Sequence, residues 1–264
     1  MMAHIIDISS QKGGTGKTTT AVNLAASLAI FEKKTLLVDC DPLGNATTCL
    51  GIDKKSLSLD LYGALVGDSR PEDVILNTEL PHLSIIPSKF RLIHAEARLY
   101  RVPGKKKILR SLLASLQEFY DYIIIDSPAS LNFFTVSALV AAHWVMIPFQ
   151  FQIHSLEGLG QLLLVVRSIQ KQYNPDVKIA GILLTMWEPG NANPPTATFK
   201  LLRRFDTRLF ETVIPWDKVL RESLNNQKPV ALYDINSRAS KAYLELAKEI
   251  IEVLKLPEET VDNH

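Results

Sequence analysis

Cysteine is nearly absent from this chain: Cys40 and Cys49 are the only two in 264 residues. Two thiols cannot make a disulfide framework, nor a four-thiolate metal site within one chain, and a reducing cytoplasm is the expected setting. Net charge is nearly absent as well, with 29 Lys and Arg against 28 Asp and Glu for a balance of +1. No whole-molecule field exists to attract a polyanion, so affinity for nucleic acid or anionic lipid has to come from local patches. Long apolar runs are missing. The run at 133–149 contains His143 and Pro148, and the run at 156–166 falls short of the roughly 18 residues a membrane-spanning helix needs. The opening MMAHIIDIS has neither a basic leader nor a signal-type apolar stretch, so export is not expected. There is no internal repeat and no polar low-complexity linker, and the acidic tail Leu256 to His264 is expected to fray.

What is present is the composition of a globular chain, 47% hydrophobic and 22% charged, long enough for one large domain. Short β-branched runs alternate with longer segments of helical period, the pattern of βαβ units around a parallel sheet. Strands are predicted at His4 to Ser9, Thr35 to Asp39, Leu83 to Pro87, Tyr122 to Asp126, Trp144 to Phe149, Lys178 to Thr185 and Leu209 to Ile214. Helices are predicted at Lys17 to Phe31, Lys105 to Tyr120, Asn132 to Ala142, Ser155 to Tyr173, Ala197 to Phe205, Lys218 to Asn225 and Ser237 to Leu254. Loops fall at Gly67 to Pro71, Pro103-Gly104 and Pro189 to Pro195. The expected fold is α/β, a doubly wound, mostly parallel sheet with helices on both faces, in one domain.

The sharpest local signal follows the first strand. SQKGGTGKTTT runs directly into the apolar-periodic segment from Ala21, the strand, glycine loop and helix context of a phosphate-binding loop. Gly13, Gly14 and Gly16 let backbone N–H groups around Thr15 turn toward phosphate oxygens, and the helix dipole adds to them. Lys17 is expected to reach the β- and γ-phosphates of ATP, Thr18 to offer its hydroxyl to Mg²⁺, and Thr19 to donate to the α-phosphate. Two further strands end in acids at the ligand edge of such a sheet: VDCDP places Asp39 and Asp41 there, and IIIDSP places Asp126.

KGGTGKTT at 12–19 departs from the general loop pattern by carrying a second lysine, Lys12, at its start, and so resembles the deviant Walker A loop of the ParA/MinD family of dimeric ATPases. The resemblance extends through DCDPLGN at 39–45, similar to that family's switch I, and DSPAS at 126–130, similar to its switch II, and continues to KPVALYDINSRASKAYLELAKE at 228–249. It implies that Lys12 contacts the nucleotide of a partner subunit in an ATP-bound homodimer, that Asp41 polarises the attacking water, and that Asp39 and Asp126 belong to the metal shell. It also implies that the segment after the last strand flanks adenine, which singles out Pro215, Trp216 and Asp217. Leu43, Ala129 and Trp216 depart from the usual glutamine, proline and arginine.

On this resemblance the expected role is a partition ATPase whose ATP dimer binds DNA without sequence specificity, becomes nucleoid-associated, and is released when a ParB-like or adaptor protein stimulates hydrolysis. DNA binding needs clustered cations. One run groups Arg98, Arg101, Lys105, Lys106, Lys107 and Arg110; a second, from 200 to 241, includes Lys200, Arg203, Arg204, Arg221, Arg238 and Lys241. The alternative is a MinD-like ATPase cycling on a membrane or protein scaffold. The acidic tail LPEETVDNH lacks the basic amphipathic segment a membrane anchor would use. No separate DNA-reading domain is expected ahead of the first strand.

Overall fold

The computed structural model describes residues 2–151, 155–188, 202 and 207–254. Seven strands form one sheet: β1 (His4–Ile8), β2 (Thr35–Asp39), β3 (Leu76–Asn77), β4 (Leu83–Ile86), β5 (Tyr122–Asp126), β6 (Trp144–Phe149) and β7 (Lys178–Leu184). Their order is β3-β4-β2-β5-β1-β6-β7, and every pairing is parallel except that of the two-residue β3 with β4. The central strands are almost wholly buried, which is why HIIDI, TLLVD and YIIID read as near-continuous apolar runs.

Among the described residues the helices are α1 (Lys17–Ile30), α2 (Asn45–Cys49), α3 (Leu61–Val66), α4 (Ala95–Arg98), α5 (Ile108–Ala114), α6 (Phe133–Ala141), α7 (Ser155–Gln172), α8 (Lys218–Asn225), α9 (Val230–Tyr233) and α10 (Arg238–Val253). Alternate residues of β1 and β5 face different layers. Ile5, Ile123 and Ile125 join Leu113, Leu139 and Val166 beneath α5, α6 and α7, whereas Ile6, Ile8 and Ile124 join Leu24, Tyr243 and Leu246 beneath α1 and α10. Asparagines close the ends of this scaffold. Asn132 caps α6 by accepting from Phe134 and Thr135 amides, and Asn174 donates to the carbonyls of Val140 and Ala142 at its other end. Asn23 on α1 accepts from the Val230 amide at 2.7 Å, fixing α9 against the first helix.

Two expected elements differ. Leu209 to Ile214 runs along the edge of β7, with the Phe210 amide donating to the Ile182 carbonyl at 3.0 Å and the Ile214 amide to the Leu184 carbonyl at 2.9 Å. The pairing is interrupted between them and leaves an isolated bridge at Ile182 and Leu209 rather than an eighth strand. The Glu211 and Thr212 amides donate instead to the Glu249 carboxylate, at 2.8 and 3.0 Å, which takes them off the ladder. The segment from Lys105 opens as a 3₁₀ turn over Lys105–Lys107, and its α-helical part ends at Ala114. The Ser115 hydroxyl there bonds back to the Leu112 carbonyl, and the chain continues in three-residue turns. The expected helix at Ala197 to Phe205 and the tail lie outside the described residues, apart from Leu202.

Candidate nucleotide site

Register brings the expected groups to one edge. Asp39 at the end of β2 pairs with Asp126 at the end of β5, and Asp126 pairs with Ile8 at the end of β1. The phosphate loop therefore emerges beside both acids. Gly16, at the N-cap of α1, has φ +88, a left-handed conformation in which a side chain would be strained. The loop is braced from β7: the Thr185 hydroxyl donates to the Thr15 carbonyl at 2.9 Å, and Thr15 donates to Ser10 at 3.0 Å.

Lys17 is buried, and its Nζ donates to the Lys12 carbonyl at 3.0 Å. Burial lowers its pKa, while Asp126 and Asp41 pull it back up. Lys12 is half-buried, and its Nζ lies 3.5 Å from the Ser155 hydroxyl at the start of α7. Gly13 and Gly14 are exposed, and Thr18 and Thr19 are half-buried.

Asp126 is fully buried, and neither of its carboxylate oxygens has a hydrogen-bond partner meeting ordinary geometry. Burial, then Asp39, pushes its carboxyl well above the usual range, with the Thr18 hydroxyl and Lys17 acting in the opposite sense. Two orphaned acceptors beside a threonine hydroxyl fit a hydrated divalent cation. Among the described residues no cluster of three His, Cys, Asp or Glu side chains could hold a metal without help, so the cation would be shared with bound phosphates.

Asp39 is engaged differently from Asp126. Its Oδ2 accepts from the Thr47 amide and hydroxyl at 2.8 and 2.7 Å, and its Oδ1 accepts from the Asp41 amide at 3.2 Å. Burial pushes its pKa up to about 6 against the pull of those bonds. Asp39 thus ties the turn at 41–47 to β2. Asp41 is half-buried, its Oδ1 accepts from the Leu43 amide at 2.9 Å, and its carbonyl accepts from the Ser88 hydroxyl at 2.8 Å. Leu43 is exposed.

The segment expected near adenine runs alongside the end of β7, where Trp216 N–H donates to the Trp187 carbonyl at 2.8 Å. Trp216 is 52% exposed. Asp217 caps α8 by accepting from the Val219 amide and also accepts from Ala239, so its carboxylate holds α8 and α10 together.

Of the first basic run, Arg98, Arg101, Lys107 and Arg110 are exposed, whereas Lys105 lies 5.0 Å over the Tyr100 ring and Lys106 donates to the Tyr173 hydroxyl at 3.1 Å. In the second, Arg221, Arg238 and Lys241 are exposed, and Arg238 reaches the Trp216 carbonyl at 3.3 Å. Lys200, Arg203 and Arg204 lie outside the described residues.

One group at this edge escaped the sequence reading. Asp7, the penultimate residue of β1, is fully buried and accepts from the Ser9 and Ser127 hydroxyls. Burial pushes its pKa up to about 6 despite those bonds. An acid inside an otherwise apolar central strand was the available signal.

Residues 3–179 match the protein family described as an AAA domain. The chain is 43% identical over 249 residues to the sporulation initiation inhibitor protein Soj of Bacillus subtilis, covering 94% of this chain and 98% of that one. It is 43% identical over 251 residues to the chromosome partitioning protein ParA of Myxococcus xanthus, covering 95% and 88%. Among solved structures it resembles a cobyrinic acid a,c-diamide synthase from Mycobacterium smegmatis with bound ADP and magnesium, at TM-score 0.85 and 30% identity over 98% of this chain and all of that one. No helix among the described residues is long and apolar enough to cross a membrane. By this similarity over nearly its whole length, the chain belongs to the Soj/ParA family of P-loop ATPases involved in partitioning.

Proposed function

We propose that this chain is an ATP-driven switch that dimerises around ATP, binds DNA without sequence specificity as the ATP dimer, and positions a cargo such as a plasmid, a chromosome origin or a protein assembly. A ParB-like or adaptor protein stimulates hydrolysis and releases it. The observation that carries this reading is the convergence of Lys12, Lys17, Asp41 and Asp126 on one sheet edge in a chain 43% identical to Soj.

Lys17 neutralises charge on the β- and γ-phosphates, and the loop amides orient them. Thr18 and Asp126 would hold Mg²⁺, which supplies further charge neutralisation at the phosphate oxygens when bound. Asp41 orients the attacking water and takes its proton. Lys12 reaches the partner subunit's nucleotide, so the γ-phosphate favours the dimer and its loss removes that contact. Pro215 and Trp216 flank the base. The exposed cations of the two basic runs meet DNA phosphates, and ATP-bound protein is nucleoid-associated.

The test is binding to non-specific duplex DNA with ATP, ADP or no nucleotide across a salt series. ATP-dependent binding that weakens steeply with salt supports the reading. No binding in any state, with hydrolysis intact, replaces it with cycling on a membrane or protein scaffold.

A further inference from the structure

Strand β1 carries an acid where packing alone asks for an apolar side chain. Asp7 is the register partner of Ile125, and both Ile5 and Ile125 belong to the apolar layer beneath α5, α6 and α7. A carboxylate in such a layer is costly unless hydrogen-bonded. Asp7 has two hydroxyl partners from different segments: Ser9 Oγ donates to its Oδ2 and Ser127 Oγ to its Oδ1, both at 2.5 Å. All three side chains are buried, Asp7 and Ser9 fully and Ser127 to 1% exposure.

The positions of the two serines give the arrangement its meaning. Ser9 is the first residue after β1, where the chain turns into the phosphate loop, and its amide is held by the Met146 carbonyl at 3.0 Å. Ser127 directly follows Asp126 and opens the switch II segment. Asp126 faces Thr18 and Lys17, whereas Ser127 turns to Asp7 on the other face of the sheet. The two arms of one rigid carboxylate thus join the base of the phosphate loop to the residue after the candidate metal-holding acid.

We infer that Asp7 is a positioning residue for hydrolysis: through Ser9 it sets the approach of the phosphate loop, and through Ser127 it sets switch II relative to that loop. This inference rests on the ATP-hydrolysis reading above. The two arms act on different steps. Loosening Ser9 disturbs the cradle that binds phosphate in the ground state, and loosening Ser127 disturbs the alignment of Asp126 during reaction.

The experiment compares full-length Ser9→Ala, Ser127→Ala and Asp7→Asn with the unaltered protein, by steady-state ATP hydrolysis with magnesium and by thermal unfolding. Ser127→Ala is expected to lower kcat about tenfold with KM within about twofold, and Ser9→Ala to raise KM about fivefold with kcat kept. Asp7→Asn, which keeps one acceptor oxygen but no second, is expected to show both effects. Adding Ser127→Ala to Asp7→Asn then lowers kcat no further, because the two residues share one link. Lowered unfolding temperatures with unchanged kinetics, or KM and kcat moving together in both serine variants, would make Asp7 a structural group and overturn the inference while leaving hydrolysis intact. An unaltered protein that binds ATP but does not hydrolyse it overturns the hydrolysis reading and this inference with it.

Discussion

Lys17 Nζ donates to the main-chain oxygen of Lys12 at 3.0 Å, so the two lysines of the phosphate loop are joined through backbone. The same ammonium is buried and is drawn electrostatically to Asp126 and Asp41. On the proposed function, a phosphate entering the loop would take over a cation that is already desolvated and held in place. Lys17→Ala is expected to weaken ATP binding roughly 10- to 100-fold, the range for one charged hydrogen bond of about 1.5–3 kcal/mol. Titration with a fluorescent ATP analogue measures it, and an affinity within twofold of the original would contradict the assignment.

Switch I turns at Gly44, which has φ +62 and sits so close to the next strand's exit that a Cβ would lie 2.6 Å from the Ser88 carbonyl oxygen. Backbone cannot step aside as a side-chain tip can. Gly44→Ala is expected to cost about 2 kcal/mol or more, combining left-handed strain with displacement of the Asp41 turn. Hydrolysis should fall further than stability does. Calorimetry and turnover on the same sample separate the two.

Asp60 caps α3 from a fully buried position and is gripped by both ends of the Arg91 guanidinium, at 2.7 and 2.8 Å. Arg91→Ala leaves that carboxylate with the Gly63 amide at 3.3 Å. Because Arg91 is itself 41% exposed, the expected loss is about 2–3 kcal/mol, below the range for a wholly buried pair. Arg91→Lys recovers only part of it, since an ammonium cannot reproduce the two-pronged contact. Urea unfolding provides the numbers.

Asp7 and Asp39 both bind protons more tightly in the folded chain, each pushed up from 3.8 to about 6 by burial. An acid shifted upward stabilises the fold fully below its unfolded value, and that contribution is lost as pH rises through about 6. Nucleotide-free protein is therefore expected to gain stability as pH falls from 7.5 to 5. Asp7→Asn should remove part of this slope, on the order of 1 kcal/mol between pH 7.5 and 5. A stability that rises with pH over that range would contradict the burial argument.

Much of the site was legible because its signals are local. KGGTGKTT is contiguous, and Asp39, Asp41 and Asp126 stand where apolar strands end, so the loop and both switches could be placed without knowing strand order. Relationships between distant segments were not legible. Asp60 and Arg91 are 31 residues apart, and no periodicity links them. Nothing in the sequence shows that Thr47 folds back onto Asp39, and Asp7 reads as a strand residue until Ser127 arrives from 120 positions away. Leu209 to Ile214 has strand composition, yet Glu249 on α10 captures the Glu211 and Thr212 amides and interrupts its pairing with β7.

The central claim is that ATP holds two copies together through Lys12, and sedimentation of Asp41→Ala with and without ATP tests it most directly. The account predicts a stable dimer with ATP, a monomer with ADP, and a monomer in both when Lys12→Ala is added. A dimer that survives Lys12→Ala, or an Asp41→Ala protein that stays monomeric in ATP, would contradict it.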